Sequence, residues 1–173
     1  MLTGIRKKFH RYFLDKELKH HFADHHSVNL KNAKDVGILF SVADSDEAEI
    51  IAQCAATIRT PERRTHLLGF YDSPKSTLNF TFPTFNRKNL NWYLEPGGPH
   101  VNDFIRRRFD ILIGAFAYEN LPLEFICALS NAAFRVGPYR ESKTYCFDFM
   151  VDTKGATEMK EFFKQVNHYL NMI

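Results

Sequence analysis

Residues 35–71 read DVGILFSVADSDEAEIIAQCAATIRTPERRTHLLGFY. The opening run, 36–42, is apolar and rich in β-branched residues, as a strand buried on both faces is. Asp44 or Ser45 is placed to cap a helix. Asp46 and Glu47 then fill the first turn, where the helix dipole favours negative charge. Ile50, Ile51, Cys54, Ala55 and Ile58 recur at helical spacing as the apolar face. Residues 65–71 form a second short apolar run. Strand, helix and strand in this order and length make a βαβ unit, which is parallel with a right-handed crossover.

The same alternation continues outward. Residues 77–85 alternate Leu78, Phe80 and Phe82 with polar neighbours, which predicts a half-exposed strand stopped by Pro83. Residues 110–116, 134–137 and 145–151 read as further strands. A short helix precedes 110, a second spans 120–132 with Pro122 in its first turn, and a last one spans 156–171 on Met159, Phe162, Phe163, Val166 and Leu170. The class is α/β: a three-layer, Rossmann-like domain over 33–173 with a mostly parallel sheet of five or six strands. A 45% hydrophobic content and 17 phenylalanines supply a core of large rings and exclude global disorder.

Residues 1–32 stand apart as a basic amphipathic segment. Residues 1–26 carry six Lys/Arg and three acids, so the chain's whole net charge of +3 lies there. Ile5, Phe9, Tyr12 and Phe13 form an apolar stripe on a helix over 4–14. Leu18 and Phe22 continue it on a different face, which predicts a bend or a second helix after Asp15. The stripe is expected to dock on the domain's own core, or to mediate self-association or bind a protein partner, with Phe9 and Phe13 as anchors. Arg6, Lys7, Lys8 and Arg11 would meet an anionic partner. RNA, the ribosome or anionic lipid is the weaker expectation at so small a charge.

No apolar run fits a signal peptide or a membrane span. Cys54, Cys127 and Cys146 are widely spaced, each in an apolar stretch, which suits buried free thiols in a reducing cytoplasm. His21 and His25, spaced i,i+4, would share a helix face, yet no third ligand is evident, so no metal site is expected.

No catalytic motif is present: there is no phosphate-binding glycine loop, nucleophile elbow or zinc-binding His pair. The turn after the first strand, SVADSDEAE, is acidic and lacks glycine, which argues against dinucleotide binding there. Open α/β sheets bind ligands beyond the carboxyl ends of their strands. Those ends offer Ser41, Asp44, Tyr71, Asp72, Ser73, Tyr118, Glu119, Asn120, Tyr139 and Arg140. Asp72 and Glu119 would form an acid pair, and Arg140 would hold an anion. Trp92, in a polar loop, is expected either to plug the end of the core or to stack on a ligand's base or sugar.

VGILFSVADSDEAEIIAQCAATIR (36–59), LNWYLEP (90–96) and FDILIGAFAYENLPLEFICALSNAAFRVG (109–137), with the ending HYLNMI, together resemble an uncharacterised domain family of unknown function found in Bacteroidetes. The resemblance spans nearly the whole chain. It implies an α/β fold with a basic N-terminal helix in the cytoplasm, and brings no activity, catalytic residue or cofactor. A remoter similarity, of fold only, is to the N-terminal half of heptosyltransferase-type glycosyltransferases. Their aspartate-containing turn corresponds here to Ile113-Gly114-Ala115-Phe116, without the acid. Their glycine loop and second domain are missing too, so sugar transfer is not expected.

Those features together predict a non-enzymatic cytoplasmic binding protein that works through its N-terminal helix. The alternatives are a small-ligand or enzymatic site at the strand ends, and an RNA- or ribosome-associated protein.

Overall fold

The computed structural model describes residues 2–73, 80–152 and 158–173. Strand β1 (Asp35–Val42) lies between β2 (Arg64–Tyr71) and β4 (Ile111–Ala115), all parallel, and β3 (Thr84–Asn86), β5 (Phe134–Pro138) and β6 (Phe149–Val151) extend the sheet in the order β3-β2-β1-β4-β5-β6. Every pairing is parallel, so the sheet is purely parallel among the described residues. The chain moves from β1 toward β3, then crosses back past β1 to β4. That reversal opens a crevice at the carboxyl ends of the strands.

Successive side chains of a strand point to opposite faces. Ile38 and Phe40 of β1 therefore enter one core, closed by α2 (Ser45–Ile58) and α5 (Met159–Leu170). Leu39 enters the other, closed by α1 (Leu2–Leu18), α3 (Pro99–Arg106) and α4 (Leu121–Leu129). Arg135 of β5 is 6% exposed and fastens α4 to the sheet edge. It donates to the Ala128 carbonyl at 3.3 Å and the Tyr145 carbonyl at 3.2 Å, and forms a two-point pair with Asp148.

Three local expectations are corrected. α1 runs unbroken through Asp15 and ends at Leu18, and residues 21–29 have no regular structure. The slip in apolar phase marks the end of the helix, not a second one. Phe22, its expected continuation, is 89% exposed. Pro83 precedes the third strand instead of stopping it: Thr84–Asn86 pairs with β2, and the Pro83 carbonyl accepts the Gly69 N–H at 3.0 Å. Proline lacks an N–H but keeps its acceptor, which suits the first position of an edge strand. Residues 77–79 of that expected strand lie outside the described residues. Residues 144–146 are a turn and 147–148 are irregular, so β6 begins only at Phe149. The last helix begins at Met159; its expected start at 156 falls outside the described residues.

Candidate functional site

α1 meets the domain through an unexpected face. His10 and Leu14 are 2% and 1% exposed, and Leu18 is half-buried. Of the stripe expected to dock, Phe13 is half-buried, while Ile5, Phe9 and Tyr12 remain 46%, 42% and 64% exposed. At roughly 100° per residue the two sets occupy opposite sides of the helix. Most of the sequence stripe thus stays uncovered, only its Phe13 edge packing closely on the domain, and a row of His10, Leu14 and Leu18 makes the contact with α4.

The loop after β3 runs along one flank of α1. Arg6 Nε donates to the Trp92 carbonyl at 2.6 Å, and His10 Nδ1 to the Tyr93 carbonyl at 3.0 Å. Phe13 stacks on Tyr93 with ring centroids 4.4 Å apart, and Phe9 meets Trp92 edge-on at 4.9 Å. Trp92 does not plug the core: it is 56% exposed and extends the apolar surface of Ile5, Phe9 and Tyr12. On the other flank Lys7 pairs with Glu119 at 2.6 Å, and the Arg11 guanidinium lies 4.5 Å from the centre of the Tyr145 ring while also pairing with Asp15. Lys8 and Lys16, both exposed, form no ion pair among the described residues.

Beneath α1, at the carboxyl ends of the strands, lies an open cavity of about 450 Å³. Asp72, just after β2, and Glu119 and Asn120, just before α4, line it. Asn120 caps α4, its side-chain oxygen accepting the Leu123 N–H at 3.3 Å. Each acid has its own cation. Asp72 takes both ends of Arg87, at 2.5 and 3.2 Å. Glu119 holds Lys7 through one oxygen and Lys143, at 3.5 Å, through the other. The hydrogen bond from Lys7 holds the Glu119 carboxyl below its ordinary range. With Asp72 held by Arg87 and Glu119 by Lys7 and Lys143, the expected acid pair gives way to separate carboxylate–cation contacts.

Arg140 is engaged elsewhere. It donates to the Phe116 carbonyl at 3.2 Å and sits 3.5 Å from Glu124, outside the cavity lining. Glu124 is 1% exposed, in the first turn of α4, and accepts from Lys143 Nζ at 2.8 Å and the Tyr145 hydroxyl at 2.7 Å. Burial and that carboxylate push the Tyr145 hydroxyl far up. This buried polar group was missed in the sequence; its one signal was a lone acid inside the apolar run NLPLEFICAL.

His21 and His25 do not share a helix face, because α1 has already ended. His21 Nε2 lies 3.2 Å from the Ser130 carbonyl and His25 Nδ1 3.3 Å from Asp148. Among the described residues no cluster of three or more His, Cys, Asp or Glu is arranged to hold a metal, and no helix is long and apolar enough to cross a membrane.

A family model described as a family of unknown function matches residues 6–173. No curated protein and no solved structure matches the chain.

Proposed function

The chain belongs to DUF6913, a family of unknown function, and on that premise we propose that it is a non-enzymatic binding protein whose docking face is the outer side of α1 together with the Trp92 loop. The observation that carries this reading is the apolar row of Ile5, Phe9 and Tyr12 on α1 with Trp92 beside it, left 42–64% exposed while the opposite side of the helix is anchored. A soluble surface rarely spends three aromatic side chains on water without a partner to cover them.

The partner is a protein with an acidic, partly apolar surface. Lys8 and Lys16 flank the rings without ion pairs among the described residues. A second copy would bring the same lysines face to face, which opposes self-association through this surface. A reducing cytoplasmic setting fits the three buried free thiols.

The test compares the full chain with a triple Phe9→Ser, Tyr12→Ser, Trp92→Ser variant in affinity capture, each checked for an unchanged melting profile. A protein retained by the native chain, lost by the triple variant and weakened by Lys8→Glu supports the reading. A captured species equally retained by the triple variant sinks it. So does a complex that proves to be RNA, marked by steep loss of binding with salt.

A further inference from the structure

We propose that the cavity under α1 is a binding site for a small organic anion: one carboxylate or phosphate group on a short apolar body. Its place is the first argument. It opens at the carboxyl end of β2 and the amino end of α4, beside the reversal in strand order, where α/β sheets bind ligands. Its volume, about 450 Å³, lies within the range of about 300–1,000 Å³ usual for small-molecule sites.

The polar atoms left over decide the ligand's sign. Both oxygens of Asp72 already accept from Arg87, and both oxygens of Glu119 face lysines. The side-chain oxygen of Asn120 is committed to the helix cap. The acceptors of these three groups are therefore in use. The donors are not. Arg6 engages only its Nε, and its two terminal nitrogens have no partner among the described residues. The side-chain nitrogen of Asn120 is in the same state. Unspent donors beside engaged acceptors select a ligand that accepts hydrogen bonds. Arg6, Lys7 and Arg87 against Asp72 and Glu119 leave the lining at +1, which favours an anion. Phe70, Leu90 and Leu94 complete the lining with apolar surface, which calls for an apolar body on the ligand.

The site is distinct from the docking face: Arg6 points its charge to the cavity side of α1, while Phe9 and Tyr12 lie outward. Either reading can fail without the other. Arg6 also takes the role expected of Arg140, which is occupied by Glu124 and Phe116.

The experiment titrates the full chain, followed by amide chemical shifts, with phenyl phosphate, benzoate, inorganic phosphate and benzyl alcohol. Phenyl phosphate or benzoate should bind and shift Asn120 and Leu121; inorganic phosphate should bind more weakly and benzyl alcohol not at all. The two aromatic arms separate a phosphate preference from a carboxylate preference. Arg6→Gln should weaken binding by about tenfold or more, the loss of one charge-assisted contact. Lys160→Gln, an exposed position on α5 across the sheet, should leave it unchanged. If Arg6→Gln loosens α1, Arg87→Gln gives the same readout from a different element. Benzyl alcohol binding as well as the anions, no anion shifting Asn120 and Leu121, or affinities unchanged in both cavity variants would each overturn the proposal.

Discussion

The imidazole of His10 lies beneath α1 with Nδ1 3.0 Å from the carbonyl oxygen of Tyr93. A carbonyl only accepts, so Nδ1 carries the proton and Nε2 is a bare acceptor, buried without a hydrogen-bond partner among the described residues. Burial holds the His10 pKa below its ordinary 6.5; the Tyr93 carbonyl, Glu124 and Glu95 pull the other way, and Arg11 adds to the lowering.

Stability should therefore depend on pH in a defined window. His10 and His25 are both lowered from 6.5, His25 by burial first and then by Arg135. The unfolded chain binds these protons more readily than the folded one. Their contribution is complete above 6.5 and is lost as pH falls through the lower folded values. A second loss follows at lower pH, where Asp35, depressed by the hydrogen bond from Arg64, and Glu119, depressed by that from Lys7, become protonated. Thermal melting from about pH 7 to about pH 5 should show the first fall, and His10→Phe should shrink it. A variant whose melting falls as steeply as the native chain's would assign the effect elsewhere.

The two sides of α1 should respond oppositely to truncation. Leu14→Ala removes a side chain 1% exposed and should cost about 3 kcal/mol in denaturant unfolding. Tyr12→Ala, at a position 64% exposed, should change stability by under about 0.5 kcal/mol. Equal losses would mean that the outer face is covered in the free protein.

Gly114 and Gly137, neighbours on β4 and β5, leave room for the ring of Phe147. A Cβ on Gly114 would come within 2.7 Å of that ring, and one on Gly137 would overlap it. Gly137→Ala should destabilise by about 2–3 kcal/mol, since the sheet backbone cannot retreat. Phe147→Leu in the same chain should recover part of the loss, a coupling that a double-mutant cycle measures.

Removing Arg135 should be costly for a different reason. Its guanidinium pairs with Asp148 at 2.7 and 3.0 Å and caps carbonyls at the end of α4. Arg135→Ala strands these acceptors in a half-buried setting and should cost about 3–4 kcal/mol. Arg135→Lys should restore only part, because an ammonium cannot reproduce the planar two-point contact.

Much of the fold is legible in local patterns. The run at 36–42, the acidic cap at Asp44 and the return at 65–71 specify a βαβ unit before any tertiary contact, and the structure builds its sheet around that unit. Asp72, Glu119 and Asn120 were also legible as strand-end residues, because their position follows from the strand boundaries. Their chemistry was not. Whether two acids repel, share a proton or each hold a cation depends on Arg87, which lies 15 residues from Asp72, and on Lys7, which lies 112 residues from Glu119.

Element order and the α/β class follow from local pattern alone, because apolar periodicity and helix caps act over a few residues. The same pattern puts the basic charge and an apolar stripe on the first helix. Which side of that helix faces inward depends on contacts with distant parts of the chain. Periodicity favoured Ile5, Phe9, Tyr12 and Phe13, but α4 and the 92–93 loop present a carbonyl that His10 can bond and an apolar surface that Leu14 can fill. Burial goes to the side whose polar groups find partners, and no local pattern in the sequence reveals where those partners will be.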